Sequence, residues 1–429
     1  MSPPPSPLLH RFPSGLQAVL LPLPNAVTAS VSAFVRSGSV DEPRALNGIG
    51  HVVEHMVFKG TRARTAHQIN LDAERRGAEV NAHTDKDHSA FHMRGLPPHA
   101  LDFLPMLADL LLAPTFPADE LERERQVLLQ EFAEDEDDPM ATAYRLFDTA
   151  CYGLHPLAQP AIGRRANIER FTRDDLVAWT ARQFTAANTV VAAAGPLDAE
   201  AFFARVDAAF GGMTPGTPHA APEPPAWRGG LKTRHMDAGQ QAHLVLGFPL
   251  PALAADDPAG ELLALALGEG MSSPLMHELR EQRGLVYYAA CAADLLDVAG
   301  ELVIEASFGD KRLPEVLEAI SGLLDRQAQG FEAVDLERAQ QQFALRLARG
   351  QERPGRVVEA AVLDLLALGR VRAPADRLAA AMAVDRAALG QALDRALKAG
   401  AAAALAGSLP RGAGTQARAA LAALLRAGD

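Results

Sequence analysis

The two halves of the sequence resemble each other weakly, and this internal repeat constrains the fold more than any other feature. The repeated segments lie in the same order in both halves, at offsets of 212 to 215 residues. They comprise an apolar strand pattern and segments with helical spacing. The matched pairs are 29–35 with 242–248, 116–132 with 331–347, and the segments that begin at Thr172 and Asp385. Three ordered matches at nearly one offset indicate a duplicated unit.

A proline-rich segment lies between the two halves. Residues 214–225, TPGTPHAAPEPP, contain five prolines and no periodic apolar pattern, so they cannot continue a helix or a central strand. We therefore predict an N-terminal half over residues 1–213, a linker over 214–229 and a C-terminal half over 230–429.

Within the first half, the spacing of apolar residues predicts a mixed α+β unit. Leucines at three- and four-residue intervals indicate amphipathic helices, whereas alternating polar and apolar residues indicate strands. The predicted strands lie near 16–37 and 79–95, and the predicted helices lie near 99–112 and 118–134. The repeat extends the same α+β class to the second half.

The charge balance argues against nucleic acid and anionic membranes as partners. The 429 residues carry 53 acidic and 41 basic side chains, a formal net charge of −12, which disfavours binding to phosphate backbones and anionic lipids. No apolar run approaches the roughly 20 residues that span a bilayer, and the start of the sequence lacks a signal-peptide pattern. The two cysteines, Cys151 and Cys291, fit a reducing compartment. We expect a soluble, cytoplasmic protein.

Residues 47–61, NGIGHVVEHMVFKGT, place two histidines and a glutamate where they can share one face of a helix. At about 100° per residue, His51 and His55 lie about 40° apart, with Glu54 about 60° to the other side of His51. Two such imidazoles can bind one zinc ion, and the carboxylate can reach a water on that metal. The order His-x-x-Glu-His inverts the commoner zinc-protease motif. Taken alone, the pair is also compatible with an ordinary helix that carries polar residues on one face.

A catalytic zinc ion needs a third protein ligand, and a downstream acidic segment offers two candidates. Glu124 and Glu131 are seven residues apart and so lie within about 20° of each other on a helix. At the offset of 215, the second half has Ala339 and Arg346 in their places, and it contains no His-x-x-Glu-His motif. This asymmetry is expected if a duplicated scaffold keeps one metal site.

The motif and its context resemble the pitrilysin and insulinase family of zinc peptidases, the inverzincins. GIGHVVEHMVFKGT is followed 76 residues after His55 by Glu131 in ERQVLLQE, and the likeness extends along almost the whole chain. Further segments that resemble family signatures are GSVDEP at 38–43, NAHTDKDHSAF at 81–91, HPLAQPAIG at 155–163, AAAGPL at 192–197 and SSPLMHELREQRGLVY at 272–287. The sequence departs from the family at Gly50, where alanine is usual, and at Phe91, where tyrosine is common.

The resemblance implies a role for each residue that matches a family motif. His51, His55 and Glu131 would bind zinc, and Glu54 would be the general base on a zinc-bound water. Glu124 would be an accessory acidic residue that orients the site. These roles are implied by the resemblance, because the spacing of the residues does not establish them by itself.

The resemblance also implies how a peptide substrate is held. Arg280 and Tyr287 of LREQRGLVY would hold the substrate at the scissile bond. Asn81 and Ala82 would mark an edge strand against which the peptide backbone is laid, a case of strand addition.

The fold implied by the family is α+β, with two homologous halves, each of two similar α+β domains, forming a clamshell. The implied function is a zinc-dependent endopeptidase that cleaves peptides or unfolded segments inside a closed chamber. Short family members assemble from two chains, and because this chain has both the zinc motif and the arginine–tyrosine pair, a homodimer is favoured. The alternatives are a non-catalytic scaffold subunit and the catalytic subunit of an obligate heterodimer.

Overall fold

The computed structural model describes residues 6–220, 222–237 and 239–425. Residue 221 of the predicted linker, residues 1–5 of the predicted N-terminal half, and residues 238 and 426–429 of the predicted C-terminal half lie outside the described residues. The strands are β1 (Leu8–Arg11), β2 (Gln17–Pro22), β3 (Ala29–Val35), β4 (Ala78–Thr84), β5 (Ser89–Gly95), β6 (Thr189–Gly195), β7 (Gly230–His235), β8 (Gln241–Leu250), β9 (Tyr288–Leu295), β10 (Gly300–Gly309) and β11 (Ala402–Gly407).

The helices occupy the segments between these strands. They are α1 (Ile49–Met56), α2 (Ala66–Glu74), α3 (Ala100–Leu112), α4 (Ala118–Asp137), α5 (Pro139–Tyr152), α6 (Arg165–Ile168), α7 (Arg173–Gln183), α8 (Ala199–Phe210), α9 (Ala259–Gly268), α10 (Pro274–Met276), α11 (Leu313–Ala328), α12 (Ala333–Gln351), α13 (Pro354–Leu368), α14 (Pro374–Ala383), α15 (Arg386–Ala399) and α16 (Ala413–Ala420). Across the described ranges, no helix combines the length and the apolar composition needed to cross a membrane.

The chain divides into two compact units, each built around one sheet. The first unit comprises the chain up to Phe132, Gln159–Pro222 and Ala348–Ala373, and the second comprises Ala133–Ala158, Glu223–Leu347 and the chain from Pro374. The predicted halves are each continuous in sequence, whereas each observed unit includes one segment from the opposite half of the sequence. The expectation of two similar domains in each half implies four domains, while the described residues form two units with one sheet each.

The sheet of the first unit has the order β1-β2-β6-β3-β5-β4, with β2 and β6 parallel and the other neighbours antiparallel. Along β3, Val31 and Ala33 face the larger core, which contains α1, α3 and α8, and Phe34 faces the opposite side. Because the sheet is apolar on both faces, both must be covered. Strand β4 is an edge strand, which pairs only with β5 among the described strands.

The second face of this sheet is covered by α13, a helix from the C-terminal half. Val358, Val362 and Leu365 of α13 pack against Val19 of β2 and Val190 of β6. The second unit shows the reciprocal arrangement, because α5, from the N-terminal half, packs against β7, β8 and β11. Each sheet is thus completed by a helix that the other half of the sequence supplies.

The repeated segments occupy equivalent places in the two sheets, which confirms the predicted duplication. The second sheet has the order β7-β11-β8-β10-β9. Strand β11 pairs in parallel with β7 and antiparallel with β8, just as β6 pairs with β2 and β3. The matched helical segments also correspond, because α4 and α12 both follow the hairpin and first long helix of their unit.

Because α13 covers the sheet of the first unit, we predict that a cavity made in α13 destabilises this sheet. Leu365→Ala should lower the free energy of unfolding by about 2–5 kcal/mol, because the buried side chain leaves a cavity against β2 and β6. Native-state hydrogen exchange of the β6 amides measures the effect. The exposed Leu71 of α2 provides the matched control, since Leu71→Ala should cost less than about 1 kcal/mol. Equal, small effects of both substitutions would contradict the proposed packing.

Candidate metal centre

Helix α1 brings the two predicted histidine ligands onto one side of the first unit. Ile49, Val52, Val53 and Met56 are buried in the core, so His51, Glu54 and His55 project from the other side of the helix. The two imidazole rings lie with centroids 4.7 Å apart. The apolar positions of α1 therefore set the direction of its three polar side chains.

Helix α4 supplies the carboxylate that faces both imidazoles. The Glu131 Oε2 atom lies 3.7 Å from Nε2 of His51 and 3.4 Å from Nε2 of His55. One ligand atom from each of the three residues lies within 4.8 Å of the other two. Ligand atoms about 2.1 Å from a tetrahedral ion are themselves about 3.4 Å apart. Two imidazole nitrogens and one carboxylate oxygen at these distances fit a zinc ion.

Glu124, one heptad earlier on α4, lies behind His55. Its Oε1 atom is 2.9 Å from His55 Nδ1, and its Oε2 atom is 2.5 Å from Lys59 Nζ. Burial would raise the pKa of Glu124, but Lys59 and His55 together hold it below its ordinary value. The ionised carboxylate accepts a hydrogen bond from the Nδ1–H group of His55 and leaves Nε2 available to a metal, the arrangement that orients many metal-binding histidines.

His51 has the protonation state that a ligand requires. Burial lowers the pKa of His51 to about 4, and the neighbouring His55 adds to this shift, whereas the Ile162 carbonyl opposes it. The imidazole is therefore neutral near pH 7, with a lone pair available for a metal.

Glu54 lies beside the cluster and is not one of its three members. Burial raises the pKa of Glu54, and Thr84 and His55 oppose this shift while the Glu131 carboxylate reinforces it. A raised pKa brings a carboxylate closer to the range in which it can both accept and return a proton. Thr84 ends the edge strand β4, so Glu54 also lies close to the strand predicted to bind a peptide.

The structure places Asn81 and Ala82 within this edge strand. The Asn81 side chain is exposed and its Oδ1 atom accepts a hydrogen bond from the Ala82 amide, while Ala82 itself is buried. A strand that pairs on one side only keeps backbone donors and acceptors for a further strand. The predicted positions thus lie on a strand edge that pairs with no further strand in the described part of the chain.

Arg280 and Tyr287 belong to the second unit, whereas the residues of the metal cluster belong to the first. Arg280 belongs to a π-helical turn, His277–Gln282, and its side chain is exposed. Tyr287 is 66% exposed, and its amide donates to the Ser307 carbonyl at 2.9 Å. Both residues are therefore exposed.

A buried carboxylate that the sequence analysis did not single out holds the start of α1. Glu42 accepts hydrogen bonds from the amides of Gly48 and Gly50, at 2.7 and 2.8 Å, and from Asn47 Nδ2 at 2.9 Å. Burial raises the pKa of Glu42 to about 7 against the effect of these three hydrogen bonds. Glu42 lies in the GSVDEP motif, so this motif is the sequence feature from which its role could have been predicted.

A close contact between two glycines positions the same turn. Gly48 has a φ of 100°, and a Cβ atom there would lie 2.8 Å from the Cα atom of Gly163. Asn47 also donates to the Pro160 carbonyl at 3.0 Å. The segment HPLAQPAIG, recognised in the sequence as a family signature, thus packs against the turn that leads into the metal helix.

We predict that Glu42→Gln weakens metal binding as well as stability. The amide can accept fewer hydrogen bonds than the carboxylate, so an amide at the start of α1 loses its partner, at a cost of about 1–3 kcal/mol. Zinc affinity, measured by competition with a chelator, should fall because α1 carries both histidines. Asp364→Asn is the matched control, since Asp364 is a buried carboxylate paired with Arg372 and remote from α1 in the sequence. Equal zinc affinity in the two variants would contradict the prediction.

Two family models match the chain in tandem. The insulinase model (peptidase family M16) matches residues 18–165, and the peptidase M16 inactive domain matches residues 170–343. An uncharacterized zinc protease of Mycobacterium leprae is 34% identical over 318 residues, which cover 73% of this chain and 72% of the relative. An uncharacterized zinc protease of Bacillus subtilis is 30% identical over 333 residues, covering 77% and 81% of the two chains.

Solved structures show the same fold. A protease from Helicobacter pylori has a TM-score of 0.86 at 21% identity, and the match covers 95% of this chain and 100% of that chain. A peptidase M16 inactive domain from Pseudomonas fluorescens has a TM-score of 0.85 at 22% identity, covering 94% and 98%. The duplicated α+β fold, the tandem family matches and the mycobacterial relative lead to one conclusion: this chain belongs to the insulinase family, peptidase family M16.

Proposed function

We propose that this family member is a zinc-dependent endopeptidase that hydrolyses peptides or unfolded segments. The observation that supports this most directly is the convergence of His51, His55 and Glu131, with Glu54 beside them. These donor atoms fit one tetrahedral ion, and the relatives from Mycobacterium leprae and Bacillus subtilis are named as zinc proteases. When bound, zinc supplies a Lewis acid that polarises a carbonyl group and lowers the pKa of water.

Glu54 is proposed as the general base. It accepts a proton from the water that attacks the peptide carbonyl, and it later donates this proton to the leaving amine. The burial that raises its pKa makes the carboxylate a stronger base for the first of these two proton transfers. Glu124 acts through His55, whose ring orientation and tautomer it fixes.

The substrate is proposed to bind as an additional strand along β4. Backbone groups of Asn81 and Ala82 would pair with the peptide, which brings the scissile bond towards Thr84 and Glu54 at the end of the strand. Tyr287 is proposed to donate its hydroxyl hydrogen to the oxyanion, and Arg280 is proposed to hold the substrate by its charge. Their exposed side chains in the second unit are compatible with contact to a bound peptide.

The proposed assembly is a homodimer whose closed chamber admits peptides and excludes folded proteins, and the proposed location is the cytoplasm. Native mass, zinc content and cleavage of a mixed peptide library, measured on the purified chain, distinguish this proposal from its alternatives. A scaffold subunit would fold without cleaving any peptide in the presence of zinc. One subunit of an obligate heterodimer would become active only when its partner chain is added.

Glu54→Gln should retain zinc and reduce peptide cleavage by about 10²- to 10⁴-fold, because the amide cannot accept the proton. Zinc content per chain and turnover of the peptide library are the two measurements. Glu74→Gln is the matched control, since Glu74 is exposed on α2 and its substitution should change neither quantity. Substantial turnover by Glu54→Gln in a clean preparation would refute the assigned role.

Tyr287→Phe should lower kcat by about 10²- to 10³-fold, the usual effect of losing one oxyanion donor. Tyr288→Phe makes the same chemical change one residue later, where the hydroxyl already donates to Glu305 at 2.6 Å. Its effect on kcat should be much smaller. An unchanged rate in Tyr287→Phe would leave the Tyr287 hydroxyl without a catalytic role.

A further inference from the structure

A polar cavity of about 520 Å³ lies in the first unit beside the start of α13. Its walls include Ser30 of β3, His83 of β4 and Arg94 of β5, with Arg353 and Arg356 from the start of α13. By strand register, the three sheet residues lie on the face that α13 covers, opposite the core that contains α1. The cavity is therefore separate from the metal cluster and has no part in the proposed reaction.

The cavity holds more positive charge than its own carboxylates compensate. Arg356 pairs with Glu359 at 2.9 Å, and Glu352 is exposed at the rim. In the described part of the chain, neither Arg94 nor Arg353 has a carboxylate within ion-pair distance. Two guanidinium groups that share one cavity repel each other, and an anion between them would remove this repulsion.

The Arg94 side chain lies against the first turn of α13. A Cβ atom at position 355 would lie 2.7 Å from Arg94 Nε, so the guanidinium can take this place only because residue 355 is a glycine. A cation near a helix N-terminus is disfavoured by the helix dipole. This adds to the positive potential of the cavity.

The second unit offers a direct comparison, because α5 is the counterpart of α13 at an offset of 215. Helix α5 follows Asp138, whose carboxylate accepts from the amides of Met140 and Ala141. Helix α13 follows Arg353, and its first turn has no side-chain cap. At equivalent positions, the start of α5 has a carboxylate that caps the helix, whereas the start of α13 has a guanidinium group, which cannot accept hydrogen bonds from the helix amides.

The cavity opens beside the strand proposed to bind the substrate. His83 lies on the edge strand β4, two residues from Asn81 and on the same face of the sheet. A peptide added to β4 directs every second side chain to this face. We propose that the cavity is a specificity subsite for a carboxylate of the bound peptide, supplied by a glutamate or aspartate side chain. This inference rests on the proposed peptidase function and names one property of its substrates.

The test compares matched peptides that differ only in glutamate or glutamine at one position. The positions are chosen from the sites that the wild-type protein cleaves in an unstructured peptide library. The wild-type protein should prefer the glutamate peptide by about fivefold in kcat/KM, the effect of one charge pair at a solvent-exposed rim. Raising the salt concentration should reduce this preference. Glutamine peptides with free and amidated C-termini identify any contribution from a terminal carboxylate.

The variants assign the preference to the cavity. Arg94→Gln with Arg353→Gln should abolish the glutamate preference and leave cleavage of the glutamine peptide within about twofold of wild type. Arg182→Gln with Arg205→Gln is the charge-matched control, because these exposed arginines lie on α7 and α8, which pack on the opposite side of the sheet. This control should retain the preference. Equal cleavage of both peptides by the wild type, a preference only for a terminal carboxylate, or a preference that survives the double substitution would overturn the proposal.

Binding measurements separate this inference from the proposed function. The zinc-loaded Glu54→Gln protein should bind the glutamate peptide about fivefold more tightly than the glutamine peptide, measured by fluorescence anisotropy. If the wild-type protein cleaves peptides without this discrimination, the inference fails and the peptidase function stands. If the wild-type protein cleaves no peptide of the library, the same anisotropy comparison is made with glutamate and glutamine forms of a library peptide that binds; a fivefold glutamate preference then leaves the carboxylate subsite standing although the peptidase function fails, and equal binding overturns both.

Discussion

The candidate site depends first on the hydrogen bonds that Glu42 accepts at the start of α1. An α-helix begins with four amides that have no partner within the helix. The Glu42 carboxylate binds two amides at this point, from Gly48 and Gly50, and also the side chain of Asn47. Asn47 in turn donates to the Pro160 carbonyl, which ties the loop before α1 to the loop after α5. Because the first histidine follows Gly50 directly, this network determines where both imidazoles lie.

Gly50, where the family usually has alanine, belongs to the same network. A Cβ atom at this position would lie 3.0 Å from the Glu42 carboxylate and 3.3 Å from the Thr84 methyl group. With alanine here, one of these neighbours would have to move by a few tenths of an ångström. The glycine therefore permits the close approach of Glu42 to the helix start, and of β4 to α1. This departure from the family pattern therefore contributes to the packing around the start of α1.

Much of the fold could be predicted from the sequence, and its limits have physical causes. The repeat follows from matching segments, and the helices near 99–112 and 118–134 and the strands near 79–95 follow from periodicity; the structure contains each of them. The exchange of α5 and α13 could not be predicted in this way. Periodicity shows that a helix has an apolar face, but it does not show which sheet that face covers. Strand β6 is buried along its whole length. Its apolar sequence indicates that other elements pack on both faces of the sheet, but it does not identify these elements.

The site shows the same limit at the level of single residues. Helical spacing places Glu124 and Glu131 on one face, so spacing alone does not show which carboxylate lies next to the Nε2 atoms of the two histidines. In the structure, Glu131 faces both Nε2 atoms, while Glu124 faces Nδ1 of His55 and pairs with Lys59. The difference arises from the depth of each side chain in the unit. Glu124 is buried and Glu131 is half-exposed, and burial depends on the neighbouring elements.

Comparison of the two copies indicates what the metal site requires of the scaffold. At the offset of 213, α9 is the counterpart of α1, and its side chains are almost all apolar and buried. Ala339, in the place of Glu124, is fully buried in the second core, and Arg346, in the place of Glu131, pairs with Glu269. A buried polar cluster is costly unless its members satisfy one another. In the first unit, Glu124 contacts both His55 and Lys59. In the second unit, alanine replaces the buried acid, so no polar group at that position needs a partner. The same scaffold thus folds with alanine at the position of Glu124, so the fold alone does not require a carboxylate there.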